Sequence, residues 1–330
     1  MLLAADIGGT KTHIALYKQE GGRLTCGAEE SYRSQEHSSL REIVDAFLRV
    51  HPATVTGAAF GVAGPVVQGK CRLTNIEWEV DAFLLASHLG LDRVGLLNDL
   101  EAIAYGTLRL SKEETVCLQA GTPLERGAIS VIAAGTGLGE GVLFWDGRRY
   151  RALPSEGGHA DFAPRTGLEL DLLRFLESEF GHVSCERVLS GPGLFNIYRF
   201  LRTRAGDPEP AWLTGEISRG DPSAAVSGAA LAGKDRTCEE ALDMFVYLYG
   251  AEAGNLALKV LSTGGVFVAG GIAPKILPRL LEGGFLRAFT AKGRLSALLQ
   301  SIPVTVVLNE SVGLLGAAHS AALIEEGRFF

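Results

Sequence analysis

The sequence predicts an α/β protein of two lobes, and three observations carry that prediction. Its 330 residues exceed one ordinary domain and sit near the length expected for two. Short apolar runs alternate with stretches whose apolar residues recur at helical spacing, so strands and helices share the cores. A strand, a glycine turn and a second strand occur twice, around Gly8 and around Gly135, a recurrence too short to establish a duplication by itself.

From the start, Leu2 to Ile7, Gly8-Gly9-Thr10 and His13 to Tyr17 read as a hairpin. Leu40, Ile43, Val44, Phe47 and Leu48 line one face of a helix over Ser39 to Val50, closed by His51-Pro52. Thr56 to Val62 is a buried strand, and Val66-Val67 is expected to pair with Cys71 to Thr74 across Gln68-Gly69-Lys70. A short helix follows over Asp81 to Leu89. Val94 to Leu97 is a strand with Asn98-Asp99 at its carboxyl end and a helix over Leu100 to Leu110 beyond. Ile129 to Ala134, the turn Gly135-Thr136-Gly137-Leu138-Gly139 and Val142 to Trp145 repeat the opening pattern. A long amphipathic helix spans Thr237 to Leu261 and stops at Thr263-Gly264-Gly265. Val266 to Ala269 is a strand, Gly270-Gly271 a turn, and Pro274 lies at or near the next helix start. Val304 to Leu308 and Ser311 to Glu325 are the last strand and helix.

Composition removes several function classes. With 47% hydrophobic residues and 42 glycines, the chain has material for large cores joined by tight turns rather than disorder. A net charge of -7 without a basic stripe argues against nucleic acid as a partner. No apolar run reaches the roughly 18 residues of a spanning helix, and Met1-Leu2-Leu3-Ala4-Ala5-Asp6 lacks a basic n-region, so membrane insertion and secretion are not expected. Five scattered cysteines, Cys26, Cys71, Cys117, Cys185 and Cys238, form no C-x-x-C pair and are expected to be reduced core thiols.

Phosphate binding does not come from the familiar loops. Gly64 to Lys70 and Gly228 to Lys234 both match a P-loop until the next residue, where Cys71 and Asp235 replace the Ser or Thr that holds Mg²⁺. Gly135-Thr136-Gly137-Leu138-Gly139 is followed by Glu140 and fails the dinucleotide pattern as well. Asp6-Ile7-Gly8-Gly9-Thr10 offers another solution, a bare hairpin tip whose N–H groups approach phosphate oxygens beside a hydroxyl. Asp6 adds a carboxylate for Mg²⁺ through water.

Taken together, Asp6 to Thr10, Leu73-Thr74-Asn75, Leu97-Asn98-Asp99, Gly135 to Gly139, Glu156-Gly157-Gly158-His159, Glu186 to Gly191 and Ala269-Gly270-Gly271 form an ordered set. On these motifs the chain resembles the bacterial glucokinase family over essentially its whole length. The resemblance implies a two-lobed actin-like ATPase (ribonuclease H-like) fold with an interlobe cleft, a small lobe of residues 1–110 and 311–330, and a large lobe of 111–310. It implies ATP and Mg²⁺ as cofactors, glucose as substrate, a cytoplasmic homodimer, and transfer of the γ-phosphoryl group to the sugar 6-hydroxyl. Asn98, Asp99, Gly137, Glu156, His159 and Glu186 are then the sugar-site residues, and Gly8, Gly9, Thr10, Gly135, Thr136, Gly270 and Gly271 the nucleotide-site residues. A site of carboxylates and amides suits a ring of hydroxyls, because an analogue lacking one strands a polar group of the protein.

Asp99 is the expected general base, although an Asp at a strand end also caps helices. Ser155 departs from the glycine common in the family at that place and is expected to alter the loop's flexibility. Apolar surface on the Thr237 to Leu261 helix is the sequence argument for a dimer. The neighbouring repressor–ORF–kinase group shares the E-x-G-H element but usually carries a cysteine-rich zinc motif after it, whereas residues 160–174 contain no Cys. A non-kinase actin-like ATPase would lack a reason for Asn98-Asp99 and Glu156 to His159 together.

Overall fold

A computed structural model describes every residue except Thr74, Asn75, Asp207 and Phe330, so part of the Leu73-Thr74-Asn75 motif lies outside the described residues. The chain divides into two compact units, the first built from Met1–Lys112, Arg151–Pro154 and Asn309–Phe330, the second from Glu113–Tyr150 and Ser155–Leu308.

In the first unit, strands β1 (Leu2–Ile7), β2 (Lys11–Glu20), β3 (Arg23–Arg33), β4 (Gly57–Val62) and β7 (Gly95–Asn98) form one sheet in the order β3-β2-β1-β4-β7. β1 pairs antiparallel with β2 and parallel with β4, which pairs parallel with β7. Helices cover both faces, so the central strands are buried along their length and period-two alternation sorts their side chains between two cores. Leu3, Ala5 and Ile7 pack with Ile43, Val44 and Phe47 of α1 (Leu40–Val50). Leu2 and Ala4 pack with Leu314, Ala317 and Ala321 of the last helix, α12 (Val312–Glu325). α12 also lies against α3 (Asp99–Thr107), and the approach needs glycine, since a Cβ on Gly316 would overlap the Ala102 carbonyl.

Two expectations change here. β3 escapes sequence reading because it is a mostly exposed strand, rich in polar and charged residues, with no apolar alternation. The hairpin expected from Val66-Val67 shrinks to a Val67 to Lys70 bridge across Gln68 and Gly69, both with positive φ. β5 (Lys70–Arg72) pairs instead with β6 (Glu79–Asp81), and the Asp81 carboxylate caps α2 (Ala82–Leu89) by accepting from Phe83 and Leu84 N–H.

β11 (Tyr150–Leu153) falls mostly in the first unit, and the second has, among the described residues, five strands in the order β10-β9-β12-β13-β8, with β8 (Thr115–Gln119), β9 (Ile129–Ala134), β10 (Leu138–Trp145), β12 (Gly265–Ala269) and β13 (Val304–Val307). β9 pairs antiparallel with β10 and parallel with β12, and β12 parallel with β13. Between β11 and β12 run α4 (Gly167–Phe180), α5 (Gly191–Ala205), α6 (Ala211–Arg219), α7 (Pro222–Leu231) and α8 (Arg236–Val260). Beyond β12 come α9 (Leu277–Leu281), α10 (Gly284–Thr290) and α11 (Ser296–Ser301).

α8 is buried around much of its circumference, from Ala241 and Leu242 through Phe245, Tyr249 and Ala253 to Leu256, packed by α5, α7 and α10 of its own unit. Its apolar surface is thus used inside one chain, which removes the sequence argument for a dimer through this helix. The cysteine expectation is corrected too: Cys71, Cys185 and Cys238 are buried, but Cys26 and Cys117 are exposed, and all five are free thiols.

Candidate active site

In the first unit, β1, β4 and β7 are parallel neighbours, so their carboxyl ends bring Gly8, Gly64 and Asn98 to one edge of the sheet, the edge at which open α/β sheets take ligands. The hairpin tip is closed by Gly8 N–H donating to the Lys11 carbonyl at 2.9 Å. Ser34, fully buried at the end of β3, secures it from below: its hydroxyl donates to the Gly8 carbonyl at 2.7 Å and its N–H to the Thr10 carbonyl at 3.0 Å. Thr12 Oγ1 lies 3.0 Å from the Ser34 hydroxyl. These contacts leave Thr10 exposed and Gly8 and Gly9 partly open. Nothing in the sequence singles out Ser34, because it follows β3, the strand that sequence reading missed.

Asp6 precedes the tip. Its carboxylate faces the start of α12, where a Cβ on Gly313 would lie 3.1 Å from Oδ2. Burial raises its pKa and His13, its cross-strand neighbour, lowers it in part. A half-buried carboxylate with, among the described residues, no lysine or arginine bonded to it fits Mg²⁺, which needs few protein ligands when phosphates and waters complete its shell.

The cap at β7 falls one residue earlier than the sequence alternative had it. Asn98, not Asp99, is the N-cap of α3: its Oδ1 accepts from Leu100 N–H at 2.8 Å, and its own N–H donates to Glu101 Oε2 at 2.8 Å. Asn98 Nδ2 donates to the Gly64 carbonyl at 3.1 Å, tying the β7 end to the β4 end. Asp99 is the first residue of α3, half-buried, with Oδ1 accepting from Leu100 N–H at 2.9 Å. Its charge reaches Cys71, whose thiol is raised first by burial and then by Asp99.

In the second unit, the residues singled out from separate segments meet. Gly135 N–H donates to the Gly137 carbonyl at 2.8 Å and closes the turn between β9 and β10. Leu138 N–H then donates to Glu186 Oε2 at 2.9 Å, and a Cβ on Gly137 would collide with that same oxygen, so only glycine admits the carboxylate there. His159 stands between two carboxylates, with Nε2 3.9 Å from Glu156 Oε2 and Nδ1 3.9 Å from Glu186 Oε1. Glu156 and His159 are exposed and Glu186 is mostly covered, so three hydrogen-bonding groups with free capacity border one glycine turn.

The local fold explains the rest of the motif. Ser190 caps α5 by accepting from Gly193 N–H and donates its hydroxyl to the Glu186 carbonyl at 2.7 Å. Gly191 N–H donates to the Gly135 carbonyl at 2.8 Å, so the Glu186 to Gly191 run braces the turn it adjoins. Ser155 adds a bond that glycine would lack, its hydroxyl accepting from Gly157 N–H at 3.0 Å within the loop. Gly270 has φ +84° and no room for a Cβ against the Ala134 carbonyl. The Gly270-Gly271 turn is therefore seated at the carboxyl end of β12, next to the end of β9 and the Gly135 turn, with Gly271 and Thr136 exposed. Sequence reading missed Glu140, buried under this site, having weighed it only as the residue that breaks a dinucleotide pattern.

Comparison with known proteins places these features together in one family. The family model for Glucokinase matches residues 3–324. A glucokinase of Nostoc punctiforme is 45% identical, covering 98% of this chain and 99% of its own length. The crystal structure of a glucokinase from an Antarctic psychrotroph superposes with a TM-score of 0.87 at 32% identity, covering 97% of this chain and 98% of that one. A glucokinase of the repressor–ORF–kinase family from Streptomyces griseus, solved with glucose and AMPPNP, has a TM-score of 0.65 at 22% identity, with 97% and 99% covered, and so shares the fold. The chain is a member of the glucokinase family, with an α/β fold of the actin-like ATPase type.

Proposed function

We propose that the chain is an ATP-dependent glucokinase that transfers the γ-phosphoryl group of ATP to the 6-hydroxyl of D-glucose. The observation that carries this reading is the meeting of Glu156, His159 and Glu186 around the Gly137 turn in a chain of the glucokinase family. Two carboxylates and an imidazole, largely unspent on protein partners, are suited to pairing sugar hydroxyls.

Asp99 accepts the proton of the 6-hydroxyl as that oxygen attacks phosphorus. Phosphoryl transfer depends mainly on alignment and charge stabilisation, and a positioned base typically adds about 10²–10⁴-fold. Asn98 contributes by holding the turn that presents Asp99, with its remaining amide hydrogen available to the sugar. Gly8, Gly9, Thr10, Gly135 and Thr136 offer N–H groups and hydroxyls to the phosphates, and Gly270 and Gly271 leave a bare surface for the nucleoside. Asp6 would hold Mg²⁺ through water, which neutralises phosphate charge when bound. Small and large lobes of residues 1–110 with 311–330 and 111–310, a homodimer, a cytoplasmic location and a role in glycolysis belong to the same reading, supported by the family resemblance.

A coupled ADP-release assay across hexoses tests it. ADP release should depend on glucose and be slower with mannose or glucosamine. Equal release with and without every hexose would show an ATPase that uses no sugar.

A further inference from the structure

The phosphoryl-transfer reading leaves unused a buried acid beneath the loop that carries Glu156 and His159. Glu140 on β10 is 2% exposed, and its Oε1 is sealed from solvent without a hydrogen-bond donor. Oε2 lies under Gly157, where a Cβ would collide with it. Glu252 of α8, 7% exposed, lies within hydrogen-bonding reach of Glu140. It accepts from Asn255 Nδ2 at 2.8 Å and from the Lys259 ammonium at 3.2 Å.

A thiol and two ammonium groups lie around the pair. Cys185, the residue before Glu186, has a thiol pushed up by burial and then by the charges of Glu252 and Glu140. Lys292, beyond α10, donates to the Ala251 carbonyl at 2.9 Å and to Asn255 Oδ1, and is pushed down to about 8 by burial and then by Arg165. Lys259 is the one ammonium bonded to a carboxylate of the pair among the described residues. Two ionised carboxylates would leave a buried negative charge and an oxygen facing an oxygen with no hydrogen between them. One proton converts that contact into a charge-assisted O–H···O⁻ bond and gives Glu140 the donor its surroundings lack.

We propose that Glu140 and Glu252 share one proton, and that this pair positions both sugar-facing carboxylates, the Glu156 loop through Gly157 and the Glu186 turn through Cys185. The positioning half rests on the glucokinase reading, whereas the shared proton does not. Burial, then the Glu252 charge, raises the Glu140 carboxyl to about 7, with Lys259 opposing. A raised carboxyl is protonated below that pH and ionises above it, so rising pH restores repulsion under Gly157 and loosens the sugar loop. Glucose KM should therefore rise in alkali while kcat changes less.

Kinetics and infrared spectroscopy on the full chain test the two halves separately. In the wild type, glucose KM should rise about tenfold from about pH 6 to about pH 8.5, one proton being linked to binding. Glu140→Gln, which donates to Glu252 and cannot ionise, should keep kcat and give a flat KM profile. Parallel profiles in wild type and Glu140→Gln overturn the positioning role. Should Glu140→Gln fail to fold, Glu252→Gln, which removes the repelling charge and gives an ionised Glu140 an amide donor, should flatten the alkaline rise, and a rise as large as in the wild type overturns the proposal. Independently of any activity, infrared spectra near pH 6 should hold the carbonyl stretch of a protonated carboxylic acid that Glu140→Gln lacks. Its absence from the wild type overturns the shared proton, whereas the band together with no glucose-dependent ADP release sinks the glucokinase reading alone.

Discussion

The first unit orders its central strands β2-β1-β4-β7 and the second β10-β9-β12-β13, each as one antiparallel pair followed by two parallel ones, with a glycine turn inside the antiparallel pair. What hangs on that shared plan differs. In the first unit α1 is the one α-helix between β3 and β4, and the strand ends carry Asp6 and Asp99. In the second, α4 to α8 precede β12, and the turn is bordered by Glu156, His159 and Glu186, which are delivered by the segments just before α4 and between α4 and α5. Even the braces differ, a buried Ser34 side chain under the first turn and a Gly191 backbone N–H under the second. Strand ends fix where groups converge, and the connections decide which groups arrive. On the proposed function, the first unit supplies the base and one amide of Asn98, and the second the carboxylates and imidazole that recognise the sugar.

Substitution of Asp99 tests that division with the largest expected effect. Asp99→Asn keeps shape and loses basicity, so kcat should fall about 10²-fold or more while glucose affinity changes little. Wild-type turnover in a folded Asp99→Asn protein would place the base elsewhere. The second unit should answer differently: Glu156→Gln and Glu186→Gln should raise glucose KM by about tenfold before kcat suffers, since these carboxylates pair hydroxyls that do not react. If those variants lose kcat with KM unchanged, the two units do not divide base from recognition.

The glycines sharpen the contrast at a smaller scale. A Cβ at Gly158 would overlap the Leu138 carbonyl, which is backbone and cannot turn aside. Gly158→Ala should therefore displace the Glu156 to His159 loop, raise glucose KM several-fold and cost about 1–3 kcal/mol of stability. At Gly8 the added Cβ meets the Lys11 carbonyl at 3.1 Å, tight but tolerable. Gly8→Ala should change ATP KM about two- to threefold and leave glucose KM alone. Equal effects of the two alanines on glucose KM, by steady-state kinetics, would break the comparison.

The legibility of the two units in the sequence was just as uneven. Strands with both faces buried, β1, β4, β9 and β12, declare themselves as apolar runs, and Asp6, Asp99, Glu156, His159 and Glu186 lie in motifs that mark one family. β3 is invisible because solvent takes most of its side chains, and the partner of β5 is misread because the true one, β6, comes later in the chain than Val66-Val67. Ser34 and Glu140 were missed for a different reason. Their roles exist only through contacts distant in sequence, with Gly8 and Thr12 for one and Gly157 and Glu252 for the other. Local pattern reads the strand plan, and a brace is known only once the chain has folded.

The smallest expected effect concerns Asn98, assigned from sequence to the sugar and found capping α3. Its side chain makes two bonds, accepting from Leu100 N–H and donating to the Gly64 carbonyl, and the second joins the ends of two parallel strands. Asn98→Ser keeps a capping oxygen and loses the reach to Gly64, whereas Asn98→Ala loses both. Cap loss costs about 0.5–2 kcal/mol and one hydrogen bond about 1 kcal/mol, so stability should fall in the order wild type, Ser, Ala over a range of about 1–3 kcal/mol. Urea unfolding with an unchanged m-value would measure it. If the cap is the whole role, kcat follows the loosening of Asp99, and the serine variant retains most of it. If the spare amide hydrogen also reaches the sugar, serine and alanine should raise glucose KM equally despite their different stabilities. Stability graded by the cap, with KM stepping at the first substitution, is therefore the pattern that keeps Asn98 in both roles.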